Sequence, residues 1–402
     1  MKIRHLYIVI FVLAAGAVLW MISGNIYIIH KRNMIHFTQS SQSTHFKGAD
    51  KFVIGVKTGT DVVAERVPIQ ILTFLQHALN VYYLSDDNSY IGHHFMTGIV
   101  KEEFDAKKLL RSDKKISRVE DTVGWDVDRH KYFPGFKFLY EKHPDKDWYV
   151  IIDDDTYVFW DELVAFLNSN KERYDPSKDL YLGLARVVKG CSNITSFEHS
   201  PNFAYGGTGV ILSRPAVEKL LLKLNDCIVR YDKCFGDASV AFCLKFEVGG
   251  ILLDYSIQSY MHQDMLGPLT SWPQNACRFP ITLHHLKPRE LQELYERDPL
   301  NVRSRRSQNA TKLNYEQLFK MYNNEKEEVF EEFDTPLSGS YIKWECPSVD
   351  ECKEGCRRDA VCASWSYDRY EKWCYQKKTM VKFQPKVNFT SGHIKEHYKC
   401  NY

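Results

Sequence analysis

The stretch that decides the fold is Trp148-Tyr-Val-Ile-Ile-Asp-Asp-Asp-Thr-Tyr-Val158. Its first part is apolar on both faces, which is typical of a strand buried in a sheet that is covered on two sides. Three consecutive carboxylates, Asp153 to Asp155, follow this strand directly. Neighbouring like charges repel one another, and their withdrawal from water is unfavourable. A divalent cation such as Mg²⁺ or Mn²⁺ offsets that cost, so the stretch indicates either a metal site or a solvated acidic turn.

Two strand-like runs precede the acidic stretch and predict a sheet around it. Residues 51–57 form a β-type run that ends at a Thr-Gly-Thr turn, and residues 80–84 form a second short strand that ends at Ser85-Asp86-Asp87. Apolar residues at helical spacing over 68–79 complete a strand-helix-strand unit. Ligands bind at the carboxyl ends of strands in such open sheets, so these polar ends are candidate binding positions.

Further elements follow the acidic stretch in an alternating order. Residues 160–167 place apolar side chains on one helical face. Residues 205–212 form a glycine-rich lead into a strand, and Ser213 with Pro215 opens another helix. We therefore expect residues 51–295 to form one α/β domain.

Composition limits the classes of function. The chain has 402 residues, of which 44% are hydrophobic and 14% aromatic, enough for two folded domains and too many for a largely disordered protein. Its 53 Lys and Arg residues nearly balance 51 Asp and Glu residues, leaving a net charge of +2. This balance gives no electrostatic reason to expect nucleic acid as a partner.

The cysteines are confined to the second part of the chain. None of the eleven precedes Cys191, and six lie between Cys346 and Cys400. Such clustering is typical of a disulfide scaffold formed in an oxidising compartment; a zinc site is the alternative, but no Cys-x-x-Cys pair accompanies the cluster. Three N-glycosylation sequons agree with a luminal location and begin at Asn193, Asn309 and Asn388.

Residues 6–29 form an apolar stretch without a charged residue. A helix of this length spans a hydrocarbon core of roughly 30 Å, whereas the apolar region of a cleaved signal peptide is about 7–15 residues long. We expect an uncleaved anchor, with residues 1–5 as a cytoplasmic tail. Flanking basic residues are equally numerous on both sides, so the sequons and cysteines decide the orientation and predict a single-pass type II protein.

Three other segments complete the predicted organisation. Residues 30–50 are polar and serine-rich, and we expect a stem that separates the body from the membrane. Residues 296–338 form a charged connector with arginines near its start and glutamates near its end. Residues 339–402 hold the cysteine cluster, and so small a domain needs disulfides because its core is thin.

Five motifs together resemble the Fringe and core 1 β-1,3-galactosyltransferase group of inverting glycosyltransferases. The acidic stretch with its flanks is the most specific of them, and the resemblance covers roughly residues 51–290. The other four occur in the order found in that group: Val56-Lys57-Thr58-Gly59, Tyr205-Gly206-Gly207-Thr208-Gly209, Phe235-Gly236-Asp237-Ala238-Ser239-Val240 and Thr282-Leu283-His284-His285.

The resemblance implies a GT-A type (Rossmann-like) domain that binds a UDP-sugar and Mn²⁺. In that arrangement Asp155 coordinates the metal, and Asp154 faces the sugar or ribose. His284 supplies a further metal ligand from far along the chain, with His285 as the alternative. The metal offsets negative charge on the leaving UDP.

The resemblance also implies where the nucleotide and acceptor bind. Lys57, Thr58 and Asp86 would contact the uridine, although Lys57 could equally be a solvated strand end. Asp237 would take the proton from the acceptor hydroxyl as that oxygen attacks the anomeric carbon. Asp237 could instead cap a helix, because residues 238–246 have a helical pattern. The glycines of residues 206–209 could serve only a tight turn.

The cysteine cluster resembles a PAN/apple domain, on the stretches 351–367 and 373–376. Six cysteines permit 15 pairings, and sequence alone does not choose among them. The resemblance implies a nested arrangement: Cys346 with Cys400, Cys352 with Cys374, and Cys356 with Cys362. Such domains bind protein or carbohydrate; a purely stabilising appendage is the alternative. Among the remaining cysteines, Cys227 and Cys234 are near enough in sequence to close a loop.

These expectations combine into one preferred function and one alternative. The preferred function is a Golgi, Mn²⁺-dependent inverting glycosyltransferase with a luminal catalytic domain. It would move galactose or N-acetylglucosamine from a UDP-sugar to a glycan or glycoprotein hydroxyl, forming a β-1,3 linkage. The alternative is a non-catalytic glycan-binding surface receptor or a glycosyltransferase chaperone.

Overall fold

The computed structural model describes residues 45–100, 125–188, 200–263, 277–304, 313–315, 317–318, 329–334, 340–378 and 384–394. Within those ranges, no helix combines the length and apolar character needed to cross a bilayer. The predicted tail and anchor, residues 1–29, lie outside them, as does most of the predicted stem.

The main sheet has eight strands and mixed direction. Parallel pairing joins β1 to β2 and β5, β2 to β4, and β7 to β11, whereas β10 runs antiparallel to β5 and β7, and β3 antiparallel to β4. The strands are β1 (Phe52–Lys57), β2 (Val81–Ser85), β3 (Ser89–Ile91), β4 (His94–Gly98), β5 (Trp148–Asp153), β7 (Tyr181–Leu182), β10 (Val210–Ser213) and β11 (Leu253–Asp254). Their order across the sheet is β11-β7-β10-β5-β1-β2-β4-β3.

Helices cover both faces of this sheet. Alternate residues of β5 explain why: Val150 and Ile152 point into one apolar core, whereas Tyr149 and Ile151 point into a second core on the other face. The helices within the described residues are α1 (Val63–Leu72), α2 (Trp125–Asp128), α3 (Tyr132–Lys142), α4 (Trp160–Ser169), α5 (Arg214–Leu222), α6 (Leu224–Arg230), α7 (Gly236–Phe246), α8 (Pro288–Arg297), α9 (Pro299–Ser304) and α10 (Val349–Arg358). The first core receives side chains from α1, α4 and α8, and the second from α3, α5 and α7.

The helix expected over 68–79 is shifted. It begins at Val63 and ends at Leu72, and a short 3-10 turn, Phe74–His77, follows. Pro68 therefore lies inside the helix rather than at its start. The backbone N–H groups of Glu65 and Arg66 bond to the Val62 carbonyl, so the helix is already established before the proline.

Two small sheets complete the α/β domain. One contains β6 (Tyr157–Val158), β12 (Met261–His262) and β13 (Thr282–Leu283), and the other is the antiparallel pair of β8 (Ala185–Val187) and β9 (Asn202–Ala204). Residues before β1 also belong to this domain: Phe46 is 2% exposed and stacks on Trp160 with ring centroids 5.0 Å apart. The end of the predicted stem is thus part of the folded body.

A five-stranded antiparallel sheet forms the C-terminal region. Its order is β14-β18-β16-β17-β15, from β14 (Val329–Asp334), β15 (Ser340–Glu345), β16 (Ser364–Asp368), β17 (Trp373–Lys377) and β18 (Gln384–His393). The first strand lies within the predicted connector, so the sheet begins before residue 339. Leu313 and Leu318, also from that connector, are buried in the first core of the α/β domain.

Disulfides support both the C-terminal sheet and the α/β domain. Two of the implied C-terminal pairs are present, Cys352–Cys374 and Cys356–Cys362. Cys346 is buried and forms no disulfide with another described cysteine, and its implied partner Cys400 lies outside the described residues.

The pairing suggested for Cys227 and Cys234 is wrong. Cys227 is bonded to Cys243, with their Cα atoms 5.6 Å apart. The two bonded cysteines lie on the neighbouring helices α6 and α7, whereas Cys234 lies in the turn between those helices. The packing of α6 on α7 therefore brings together cysteines that are farther apart in sequence.

Candidate active site

Strand register brings the predicted binding residues to one edge of the main sheet. In the parallel pairing of β1 with β5, Lys57 lies opposite Asp153. In the pairing of β1 with β2, Lys57 lies opposite Leu84, so Asp86 follows just beyond the end of β2. Carboxyl ends of parallel strands meet at the same sheet edge, and the turn after β1 and the acidic triplet therefore lie together.

Pairing of β6 with β13 brings His284 to the acidic triplet. Tyr157 and Val158 lie opposite Leu283 and Thr282, and the residues that flank these strands meet as a result. Ligand atoms of Asp153, Asp155 and His284 all lie within 4.8 Å of one another. Nδ1 of His284 lies 2.9 Å from Oδ1 of Asp155. His285 is exposed and its φ is 55°, so its backbone turns away from the extended path of β13.

The carboxylates of this cluster have the character of metal ligands. Oδ1 of Asp153 and Oδ1 of Asp155 are both buried; the first lies 2.9 Å from Nζ of Lys57, and the second lies 2.9 Å from Nδ1 of His284. Two carboxylates therefore converge on one imidazole in a buried position, where a cation would hold all three groups together. Carboxylate oxygen together with imidazole nitrogen is a donor set that suits Mn²⁺. The residues present therefore fit the divalent cation that the sequence motif predicts.

Asp154 points away from the cluster. Its Oδ2 accepts a hydrogen bond of 2.6 Å from Thr58 Oγ1, and its Oδ1 accepts one of 3.0 Å from Arg66 Nη1. Arg66, on α1, also bonds at 3.2 Å to Oδ2 of Asp155. Burial raises the pKa of Asp154, and the hydrogen bonds from Thr58 and Arg66 oppose that rise. Asp154 thus links the turn after β1, which carries Thr58, and helix α1 to the acidic triplet.

Two buried lysines form ion pairs with carboxylates of the site. The ammonium group of Lys57 contacts Asp128 and lies 2.9 Å from Oδ1 of Asp153, and its side chain is only 3% exposed. Lys131, equally buried, contacts Asp86 at 2.7 Å and Asp128 at 3.3 Å. Burial lowers the pKa of Lys57, but the charges of Asp128 and Asp153 outweigh it and raise that pKa well above its ordinary value. The alternating charges connect the ends of β1, β2 and β5 to the corner between α2 and α3.

The glycine-rich segment separates the metal cluster from Asp237. A Cβ atom added to Gly207 would lie 2.2 Å from Nε2 of His284, so only glycine fits against the imidazole. The neighbouring Gly206 donates its backbone N–H to Oδ2 of Asp237 at 2.8 Å. Because adjacent residues contact His284 and Asp237, these side chains lie on either side of one short backbone segment.

Asp237 lies in the first turn of α7, where two backbone groups hold its carboxylate. Oδ2 accepts from Gly206, and Oδ1 accepts from the backbone N–H of Ala238 at 2.8 Å. Burial raises its pKa to about 6; these two hydrogen bonds and the charge of Lys57 act in the opposite direction, and the charge of Asp153 adds to the rise. A carboxylate with a pKa near neutrality is suited to proton transfer.

Comparison with known proteins agrees with this geometry. The Fringe-like family model matches residues 47–265, more than half of the chain. The chain belongs to the Fringe-like family. The matched range contains the turn after β1, the acidic triplet, the glycine-rich segment and Asp237, and it ends before His284.

Sequence relatives of this Fringe-like protein include two chondroitin sulfate synthases. Chondroitin sulfate synthase 3 of Homo sapiens is 30% identical over 166 residues, and that of Mus musculus is 29% identical over 166 residues. Each alignment covers 38% of this chain and 18% of the relative, so the chain spans less than a fifth of the relatives' length.

A solved glycosyltransferase involved in the glycosylation of the major capsid of PBCV-1 aligns with 61% of this chain and 98% of its own, at 13% identity. Its TM-score of 0.29 is too low to carry a conclusion. Family membership and the mixed central sheet confirm the predicted α/β fold class.

Sequence reasoning missed three side chains of this Fringe-like site. Asp153 was predicted as part of the acidic triplet, and the structure places it in the cluster with Asp155 and His284, the two residues singled out as ligands. Arg66, Asp128 and Lys131 hold carboxylates of the site through ion pairs. The three-residue spacing of Asp128 and Lys131 was a weak signal of an ion pair, but nothing in the local sequence indicates that either faces Asp86 or Lys57.

Proposed function

We propose that this chain is an inverting, Mn²⁺-dependent glycosyltransferase. It moves a hexose, either galactose or N-acetylglucosamine, from a UDP-sugar to a hydroxyl of a glycan or glycoprotein, and it forms a β-1,3 linkage. The observation that carries the proposal is the meeting of Asp153, Asp155 and His284 within 4.8 Å, with Asp237 on the other side of the glycine-rich segment.

The metal would be held by carboxylate oxygens of Asp153 and Asp155 together with His284. In such a site a divalent cation supplies charge compensation for a departing diphosphate. Thr156 fixes the imidazole, since its hydroxyl lies 3.1 Å from Nδ1 of His284 and also bonds to the carbonyl of Gly207. Lys57 places its ammonium group 2.9 Å from Oδ1 of Asp153 and so helps to fix the position of that carboxylate.

Asp237 is the proposed general base. The carboxylate accepts the proton of the acceptor hydroxyl while the acceptor oxygen forms a bond to the anomeric carbon. The bond between that carbon and the diphosphate oxygen breaks, and UDP departs with the electron pair. The proton then passes from Asp237 to solvent. One displacement inverts the anomeric centre, so an α-linked donor gives a β-linked product.

Thr58 and Asp86 remain the proposed uridine contacts. The turn that carries Thr58 is fixed from two sides, by the Asp154 carboxylate and by Lys131, which donates to the Thr58 carbonyl at 2.7 Å. Asp86 is held by Lys131 and by the backbone N–H of Thr60 at 3.0 Å. This support keeps the turn rigid before a nucleotide binds, which reduces the entropic cost of binding.

We also propose that the chain is a single-pass type II protein of the Golgi membrane. The disulfides Cys227–Cys243, Cys352–Cys374 and Cys356–Cys362 support an oxidising compartment for the body. The C-terminal sheet is proposed to be a PAN/apple-like module for binding protein or glycan acceptors. The two disulfides that match the implied nested pairing support that assignment.

The test is UDP release by the purified full-length chain. Donor UDP-sugars are screened with Mn²⁺ and again with a chelator, and we expect release only with the metal. Asp155→Ala should abolish both release and metal-dependent UDP binding. Asp50→Ala, which removes an exposed carboxylate, is the matched control and should change neither.

The same screen separates the enzyme from a glycan-binding receptor or chaperone. A folded wild-type chain that turns over no UDP-sugar under either condition would favour the non-catalytic alternative. Metal-dependent UDP binding that survives Asp155→Ala would instead leave the activity possible and reject the metal assignment.

A further inference from the structure

Tyr132, the first residue of α3, carries a hydroxyl group that no described residue binds. The residue as a whole is only 3% exposed, and its hydroxyl makes no hydrogen bond to a described residue. Other buried tyrosines differ: Tyr157 donates to Asp298 at 2.8 Å, and the hydroxyl of Tyr181 accepts from the backbone of Ala204 at 2.7 Å. The hydroxyl of Tyr132 therefore differs from those of its buried neighbours, because its hydrogen-bonding capacity is left open to a ligand.

The free hydroxyl lies inside the proposed active site. A Cβ atom added to Gly206 would lie 1.7 Å from the Tyr132 oxygen and 3.2 Å from Oδ2 of Asp237, so both oxygens face the same point of the glycine-rich segment. On the other side, the ammonium of Lys57, which contacts Asp153, lies 5.0 Å from the centre of the tyrosine ring. The phenol therefore stands between the proposed base and the metal cluster.

The ring is fixed in this position. Gly236 and Gly206 approach it from two directions, and a Cβ atom added to Gly236 would lie 2.7 Å from Cδ2 of the ring. Burial raises the pKa of the phenol well above its ordinary value; the charge of Lys57 opposes the rise, and the charges of Asp153 and Asp237 add to it. Tyr132 therefore remains neutral at physiological pH and keeps a proton to donate.

We propose that Tyr132 is a substrate-binding residue whose hydroxyl donates a hydrogen bond to a hydroxyl group of the donor hexose. The inference rests on the proposed function. The donor sugar is the ligand that must occupy the space between Asp153, on the diphosphate side, and Asp237, on the acceptor side. A buried phenol aimed at that space offers one fixed donor, and a fixed donor distinguishes sugars by the presence of a matching hydroxyl.

The experiment compares the wild-type chain with Tyr132→Phe, which removes one oxygen atom and keeps the ring. The measurements are hydrolysis of the accepted UDP-sugar, transfer to an acceptor, and UDP binding with Mn²⁺. We expect kcat/KM for the donor to fall roughly 3- to 10-fold in both reactions, with UDP affinity and Tm unchanged. Tyr140→Phe is the matched control, because Tyr140 lies on the same helix and its hydroxyl bonds outside the site, to Glu218 at 3.1 Å.

Deoxy analogues of the donor make the test specific. With the analogue that lacks the contacted hydroxyl, wild type and Tyr132→Phe should react equally, whereas the other analogues should preserve the difference between them. Unchanged donor hydrolysis by folded Tyr132→Phe, or a loss seen in transfer alone, would overturn the proposal. A wild-type chain that turns over no UDP-sugar would refute the proposed function itself, and the inference with it.

Discussion

Gly207→Ala tests the proposed metal site through the close packing of its backbone. The added Cβ would lie 2.2, 2.5 and 2.7 Å from Nε2, Cδ2 and Cε1 of His284, whereas ordinary contacts begin near 3.4 Å. The imidazole would have to retreat by about 1 Å, because atoms this close repel strongly. His284 is buried, and its Nδ1 lies within 3.1 Å of both Oδ1 of Asp155 and Oγ1 of Thr156, so the imidazole cannot move away without breaking these contacts.

Two effects follow from this displacement. Overpacking of a buried site costs about 1–3 kcal/mol, which corresponds to a fall in Tm of roughly 2–10 °C for a body of this size. Displacement of the imidazole should also weaken Mn²⁺-dependent UDP binding by roughly 10- to 100-fold, the loss typical of disturbed ligand support. The two effects are comparable in free energy, since a 10- to 100-fold loss of affinity corresponds to about 1.4–2.7 kcal/mol.

Calorimetric titration of UDP at saturating Mn²⁺, together with a thermal melt, measures both effects on the same preparation. Gly92→Ala is the control for replacing a glycine, because nothing lies within 4 Å of the added Cβ and only the backbone, with a φ of 61°, is strained. That variant should lose some stability and no UDP affinity. A folded Gly207→Ala chain that binds UDP and Mn²⁺ as wild type does would refute both the packing argument and the role of His284.

Other perturbations test separate parts of the site and fold. Asp237→Asn should abolish transfer while leaving UDP affinity intact, and kcat/KM of the wild type should fall as pH drops below about 6, because the base must be deprotonated and its pKa is raised to about 6; a flat profile through pH 6 would contradict that role. Because burial disfavours the charged Asp237 carboxylate, the folded chain becomes more stable as pH falls and this carboxylate takes up a proton. Asp237→Asn, which removes the charge, should therefore not lower Tm at neutral pH. Lys57→Met should lower Tm and weaken Mn²⁺-dependent UDP binding, because it removes the buried counter-ion of Asp153 and leaves Asp128 with Lys131 alone; an unchanged melt and titration would show that Lys57 is dispensable. Replacing Cys227 and Cys243 together by alanine opens a loop with a sequence separation of 16 and should cost about 3 kcal/mol, seen as a lower denaturation midpoint with unchanged UDP affinity in the folded protein.

Stability and activity are coupled at this site through charge. Asp154 and Asp237 both have raised pKa values because burial opposes their ionisation. Arg66 compensates part of this cost at Asp154, and Lys57 compensates part of it at Asp237. A site arranged in this way is less stable than a neutral core and gains stability when a cation and diphosphate bind, since ligands that bind only the folded state stabilise it.

The helices and strands near the acidic triplet could be predicted because their signals are local. Apolar alternation and periodicity predicted β1, β2 and β5 within one residue of their bounds, and α4 begins at the residue expected. Helix α1 was less predictable. Pro68 is a strong local signal for a helix start, yet the turn after Gly59 begins the helix earlier through bonds to the carbonyls of Gly59 and Val62.

Residue type and motif order in the sequence were sufficient to indicate a member of the Fringe-like family and to select Asp155, His284 and Asp237 for testing. Tertiary structure alone decided that Asp153 joins the cluster, that Asp154 turns toward Thr58 and Arg66, and that Tyr132 presents a free hydroxyl. The reason is that strand register and helix packing fix these contacts between residues far apart in the chain, as in the 128-residue separation of Thr156 and His284. Local sequence encodes which groups are available, whereas long-range pairing determines which of them meet.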